Sequence, residues 1–296
     1  MSPKKTDQKE VFSNITTFED LMSFLSDRGR GHTQFHHYTD LHTLDNILKG
    51  KKLYLSRADT LNDFLEGGQS SDMKNVFITS FSFFSQESIA MWSMYAWPYP
   101  DGVRLRIDGK SMRKTLREFN KNPRIYLPDD KGQTEPIGFD GKANLSLMDV
   151  AYINNKSNLE WYNYRRSRAV NACPSLTNEY NGIPGSSLLN WCFKDSIWAT
   201  EIETRLILKV DPSLHDVSPD KNITKLAIDF LPALEGLTVM SGPCLALSRL
   251  EDTLEKHSDI KVHAIPSMYY NGTFFKSCKK DKDKCKYRTP FCMKRF

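Results

Sequence analysis

The sequence predicts an α+β fold, a mixed or antiparallel sheet with helices packed around it. Three observations carry this. Segments near both ends of the chain alternate apolar and polar residues with the period of two that belongs to strands. An amphipathic helical pattern follows the first of them directly. The readable elements then run strand, helix, strand, strand, helix, strand, and neither a Gly-rich phosphate loop nor a Gly-x-Ser-x-Gly turn occurs between them. That absence argues against a dehydrogenase, a P-loop ATPase and an α/β-hydrolase.

Gln34 to Asp40 reads as the first strand. Leu41 to Gly50 is amphipathic, with Leu41, Leu44, Ile47 and Leu48 on one face and Gly50 placed as the residue just past a helix C-terminus. Leu53 to Asp59 alternates as a second strand, and Thr60 to Gly68 is polar and turn-rich. Val76 to Phe83 is an apolar strand with Ser80 and Ser82 on one face, and Ser88 to Ala96 is helical, with Trp92, Tyr95 and Ala96 on one side. Val103 to Asp108 reads as a strand with outward arginines, followed by a helix from Gly109 to Phe119. Asn122 to Asn144, rich in Pro, Gly and Asp, reads as loop, and Leu145 to Ile153 as a strand. Asn158 to Cys173 and Ser186 to Trp191 are candidate helices. Later come Lys225 to Leu231, a strand from Thr238 to Pro243, a helix from Leu245 to His257 and a strand from Ile260 to Ile265.

The most informative stretch is Lys194 to Leu208. Ile202, Thr204, Leu206 and Leu208 alternate onto one face, so Glu201, Glu203 and Arg205 share the other. Two carboxylates two residues apart on a strand sit roughly 6–7 Å apart at the backbone and point the same way. That pairing suits chemistry at a sugar carbon, one carboxylate holding a developing cation and the other orienting the attacking group. A solvated strand face carrying a Glu–Arg pair would show the same pattern. Trp92 and Trp198 are expected to be packing residues.

The 296 residues leave ample material for a core. The expected organisation is a flexible N-terminal arm over 1–20, a single domain over 21–275 with an elaboration at about 109–190, and a basic tail over 276–296. No apolar run reaches the roughly 18–20 residues that span a bilayer, and the first ten residues lack the apolar segment of a signal peptide. No membrane association and a cytoplasmic location are therefore expected. Cys173, Cys192 and Cys244 sit in apolar settings as buried thiols. Cys278, Cys285 and Cys292 match no usual zinc spacing, so no metal site is expected.

Charge is uneven. The tail holds nine Lys and Arg against two Asp, an excess larger than the +5 of the whole chain, so the body is mildly acidic. Further basic runs span Arg104 to Arg124 and Arg165 to Arg168, the latter flanked by Trp161, Tyr162 and Tyr164. Basic residues interleaved with aromatics suit phosphate backbones and unstacked bases, so a nucleic acid or nucleotide partner is in view.

Five motifs occur in order: His37-Tyr38-Thr39, Asn62-Asp63-x-x-Glu66, Ser80-Phe-Ser82, Met91-Trp-Ser-x-Tyr95-Ala96, and Lys194-x-x-x-Trp198-x-x-Glu201-x-Glu203-x-Arg205. Together they resemble the bacterial domain-of-unknown-function family 2971 over residues 34 to 270. Phe64 stands where that family usually carries Pro. A fainter resemblance is to ADP-ribosyltransferases, which bind NAD in a cleft of a split sheet. It implies an ADP-ribosyltransferase-like split sheet and NAD as substrate. His37 would contact the adenosine-side ribose, Glu203 would grip the nicotinamide ribose, and Glu201 would orient the acceptor. Tyr38, Thr39, Tyr54, Asn62, Ser80, Ser82 and Arg205 complete the expected NAD-contacting set.

Three functions are compatible with these residues. The first is an NAD-dependent ADP-ribosyltransferase or NAD glycohydrolase, acting on a nucleic-acid or protein acceptor, as a toxin or phage-defence effector. The second is a metal-dependent nuclease using His37, Asp63, Glu66, Glu201 and Glu203. The third is a non-catalytic nucleic-acid-binding sensor. Oligomeric state is left open.

Overall fold

The computed structural model describes residues 25–26, 31–61, 71–96, 101–129, 134–138, 141–153, 191–216 and 222–269. The expected N-terminal arm, the basic tail with its three cysteines, Cys173, Asn62, Asp63, Glu66, the Arg165–Arg168 run, the candidate helix Asn158 to Cys173 and all of the candidate helix Ser186 to Trp191 except Trp191 lie outside them.

Strand β1 (Gln34–Asp40) and helix α1 (Leu41–Gly50) form as the pattern predicts. Asp40 caps the helix by accepting from the Thr43 amide at 2.7 Å, and Leu44, Ile47 and Leu48 are buried. The left-handed residue that ends it is Lys51, at φ 53°, rather than Gly50, which is the last helical residue. Strands β2 (Lys52–Arg57) and β3 (Val76–Ser82) follow. Next comes helix α2, Ile89–Met91, which continues as a π-helical turn over Trp92–Ala96. Strand β4 (Gly102–Asp108) leads into helix α3 (Gly109–Lys121).

The segment expected to be loop holds two short strands, β5 (Ile125–Pro128) and β6 (Thr134–Pro136). Their local signal is weak because they are short and Pro-bearing; pairing with each other and of β5 with β11 (Lys225–Asp229) makes them strands. Leu145 to Ile153 is two elements, β7 (Ala143–Asp149) and β8 (Ala151–Ile153), the latter paired in parallel with β9 (Phe193–Asp195). Strand β10 (Glu203–Val210), helix α4 (Leu231–Leu234), strand β12 (Thr238–Ser241), helix α5 (Leu247–Glu255) and strand β13 (His263–Ile265) complete the described elements.

Eleven strands join into one mixed sheet, so the fold is α+β. All its pairings are antiparallel except β12 with β13. The sheet forks at β3. Strand β10 pairs with β3 along its length, from Glu203 opposite Ser82 to Lys209 opposite Val76. The other edge of β3 is shared: β1 takes the Ser82 end, through His36, and β2 takes Ile78 and Phe77. Side chains bridge the gap between them. The Thr79 hydroxyl donates to the Tyr54 carbonyl at 2.5 Å, and His37 Nδ1 lies 2.9 Å from the Ser80 carbonyl.

One face of this sheet carries the main core. Phe35, Leu53, Leu55, Phe77, Phe81, Leu105, Leu206, Leu208, Leu226 and Val239 pack with Leu44 and Leu48 of α1, Met112 and Phe119 of α3, and Leu250 of α5. Alternation turns the residues between them, His36, Tyr38, Ser80, Ser82, Arg104, Arg106, Glu203 and Arg205, onto the opposite face. Helix α2 covers part of that face, burying Trp92, Met91 and Ala96 against Tyr38 and Met240. Glycines permit this approach. A Cβ on Gly102 would lie 2.6 Å from the Ala96 side chain, and one on Gly242 would lie 2.6 Å from the Gly102 carbonyl and 3.2 Å from the Trp92 ring. Trp92 is therefore buried as expected, with its indole N–H donating to Glu87 at 3.1 Å. The expectation of outward arginines on β4 is corrected at Arg104, which is 4% exposed and donates to the Ser85 and Gln86 carbonyls.

Candidate active site

The face opposite the main core carries an unbroken polar row across five strands. Thr238 of β12 lies opposite Arg106 of β4, Arg106 opposite His36 of β1, His36 opposite Ser82 of β3, and Ser82 opposite Glu203 of β10. Residues directly opposite in a sheet point to the same side, so all five share one surface.

At the β10 end, four charged side chains are packed together. Glu203 is 3% exposed and Arg205 is 1% exposed. The guanidinium grips the carboxylate with two bonds, Nε to Oε1 at 2.8 Å and a terminal nitrogen to Oε2 at 3.0 Å. The Ser80 hydroxyl donates to the same carboxylate, and Lys194 Nζ stands 3.6 Å from it. Burial alone would push Glu203 up; Arg205, Lys194 and Ser80 together outweigh it and hold the carboxyl at about 2.

Glu201, 2% exposed, is not on the strand. It closes a 3₁₀ turn, Ser196–Glu201, and Ile202 then takes φ 47° before β10 begins at Glu203. A β-branched residue with positive φ is strained, by about 1–3 kcal/mol. The turn nevertheless brings both carboxylates to one ammonium: Lys194 donates to Glu201 at 2.7 Å. Tyr95, from the π turn of α2, donates its hydroxyl to the other Glu201 oxygen. Burial, and then the neighbouring Glu203 charge, raise Glu201 above the usual carboxylate range. The two acids are thus split in character: Glu203 is fixed as an anion, and Glu201 is the one inclined to take a proton. Lys194 also lies 4.7 Å over the Trp198 ring, and the Glu203 amide donates to the Tyr152 hydroxyl at 2.9 Å.

Of the residues expected at the site, Glu201, Glu203, Ser80 and Arg205 meet around Lys194, and Ser82 lies beside them with its hydroxyl accepting from the Phe84 amide at 3.3 Å. Tyr38 shares their face two strands away but is a packing residue, edge-on to Trp92 at 4.9 Å. Tyr54, on β2 beyond the fork, packs against the main core. His37 and Thr39 alternate to the face of Phe35, and the His37 ring lies 5.5 Å from that of Phe81. Because a carbonyl can only accept, His37 Nδ1 carries the proton in its bond to Ser80, and burial lowers its basicity.

The histidine on the Glu203 face is His36. Its register was readable: Phe35 belongs to the core, so alternation sends His37 with it and His36 to the other side. Lys194, Tyr95 and Tyr152 carried no such signal, because sequence spacing does not show which elements fold onto Glu201. Cys192, buried nearby, has its thiol pushed up to about 12 by burial. No helix among the described residues is long and apolar enough to cross a membrane.

His36 is 1% exposed, and neither ring nitrogen has a hydrogen-bond partner among the described residues. Burial, with Arg104 and Arg106 beside it, lowers its pKa from 6.5 to about 3. The unfolded chain takes up this proton below pH 6.5 and the folded chain only near 3. The stability that neutral His36 carries is therefore full above pH 6.5 and lost as the pH falls towards 3. Between pH 7.5 and 5 the loss should be about 2 kcal/mol. Urea denaturation of wild type and His36→Gln across that range checks it: the variant should show the flatter profile, and equal slopes would refute a neutral His36.

No family model matches this chain, and no curated protein sequence matches it. Among solved structures, DarT of Thermus sp. 2.9 in complex with carba-NAD+ is similar over 81% of this chain and 97% of that one, at 11% identity and a TM-score of 0.30. A TM-score of that size does not establish a common fold.

Proposed function

We propose that this chain cleaves the bond between nicotinamide and ribose in NAD, as an ADP-ribosyltransferase or NAD glycohydrolase. The observation that carries the reading is the pair of buried carboxylates converging on Lys194, one fixed as an anion and the other inclined to be protonated. When the glycosidic C–N bond breaks, its electron pair passes to the nicotinamide nitrogen and the ribosyl carbon becomes cationic. Glu203, oriented by Arg205 and Ser80 before substrate arrives, supplies negative charge where that cation forms. Glu201 accepts the proton of the attacking acceptor hydroxyl or water, steadied by Tyr95 and Lys194. His36, rather than His37, is then the first-strand histidine on the substrate face.

The metal-dependent alternative would require a divalent ion where the Lys194 ammonium already bridges both acids. Asp63 and Glu66 of that alternative lie outside the described residues, among which no group of three His, Cys, Asp or Glu side chains could hold a metal ion.

The test is incubation of the purified full-length protein with NAD, with release of nicotinamide followed by chromatography. Single-stranded DNA or protein added as acceptor separates transfer from hydrolysis. Nicotinamide release is expected; a folded protein that leaves NAD intact with and without acceptors overturns the assignment.

A further inference from the structure

The polar row is electrically lopsided. At the β10 end each charge has an opposite partner: Arg205 with Glu203, Lys194 with Glu201. At the β4 end two arginines on one strand face have none among the described residues. Arg104 donates to the Gln86 carbonyl at 3.0 Å, to the Ser85 carbonyl at 3.5 Å and to the Tyr38 hydroxyl at 3.4 Å, while its buried Nε has no partner among the described residues. Arg106 donates to the Thr238 hydroxyl at 2.9 Å. Glu87, the acid on the adjoining turn, is taken by Trp92, Ser267 and the Met268 amide. Beside both arginines lies His36, whose two ring nitrogens have no partner among the described residues.

We propose that Arg106, Arg104 and His36 form an anion subsite for the diphosphate of a dinucleotide whose ribosyl end meets Glu203, a placement that rests on the NAD-cleaving reading above. A buried cation without a counter-charge is costly, and a diphosphate supplies both the charge and the acceptor oxygens that a guanidinium fork fits. Arg205 and Arg57 show what the fold does with buried arginines that serve structure alone or an acid: Glu203 and Asp59 pair with them. His36, uncharged, donates one N–H to the same oxygens and keeps an acceptor nitrogen for a hydroxyl. Arg106 and Glu203 stand three strand spacings apart, about 14 Å at the backbone. His36 and Ser82 lie between them in the row, and the Arg106 guanidinium, bonded to Thr238, stands on the β12 side of β4. Arg104 lies under the Ser85–Gln86 segment and Arg106 is half-buried, so the subsite suits a small diphosphate and not the backbone of a polymer, which needs cations on an open surface.

Binding of ADP-ribose and of adenosine to the full-length protein, measured by calorimetry, tests this. ADP-ribose should bind and adenosine should bind far more weakly. Arg106→Gln should weaken ADP-ribose at least about tenfold while leaving adenosine unchanged, and Arg106→Lys should lose less, because it keeps the charge. Arg249→Gln, which alters an exposed pair with Asp101, should change neither. Equal ADP-ribose affinity in wild type and Arg106→Gln overturns the subsite, as does wild type that binds no ADP-ribose. Loss of oligonucleotide binding in Arg106→Gln, uncompeted by ADP-ribose, also overturns it. A protein that binds ADP-ribose through Arg106 yet never turns NAD over would retain the subsite and refute the proposed activity, which keeps the two failures apart.

Discussion

Glu203→Gln is expected to lower nicotinamide release about 10²–10³-fold, the size of effect seen when charge aimed at a transition state is removed. The substitution keeps the shape and hydrogen-bonding capacity of the side chain and deletes its charge. The same charge has a second duty, because it neutralises Arg205 at 1% exposure. The variant should therefore also lose stability, and its rate must be read at a temperature where circular dichroism shows it folded. The double variant Glu203→Gln/Arg205→Met removes both charges and so separates the duties. Its stability should recover most of the loss while its activity stays absent. A folded Glu203→Gln protein keeping more than about a tenth of wild-type turnover would exclude Glu203 as the catalytic anion.

The second large effect is on stability. Arg205→Met should cost about 3–5 kcal/mol, because it leaves a buried carboxylate short of its nearest counter-charge. In wild type the depressed Glu203 contributes stability that is full above the ordinary carboxylate range and lost as the pH falls through about 2. Without Arg205 burial dominates and the carboxyl rises, so the variant takes up a proton as the solution is acidified and recovers part of its deficit. The gap between wild type and Arg205→Met should therefore narrow from pH 7.5 to pH 5 in urea denaturation. A gap that is constant with pH, or a double variant no more stable than Arg205→Met alone, would show that Glu203 does not depend on Arg205.

Much of the local structure was legible in the residues. The alternation in β1, β3 and β10, the amphipathic face of α1 and the shared face of Ser80 and Ser82 follow from side-chain periodicity, a property of the chain itself. The Glu203–Arg205 pairing belongs here too, since two residues apart on a strand share a face whatever the strand pairs with. The same periodicity separates His36 from His37 once Phe35 is placed in the core, a step that the expectation at His37 did not take.

What only tertiary structure decided is which elements meet. Strands β1 and β2 divide one edge of β3, and no local pattern states which edge a strand will take. The left-handed residue Ile202 turns Glu201 off the strand and next to Lys194, in a conformation that β-branched side chains disfavour. Tyr95 arrives from a π turn laid over the sheet. Arg104 sits on a strand whose alternation is plain, yet its burial depends on the Ser85–Gln86 segment folding over that face. Periodicity says which side of an element a residue occupies; only long-range packing says what lies against that side, and with it which charges are neutralised and which still need a partner.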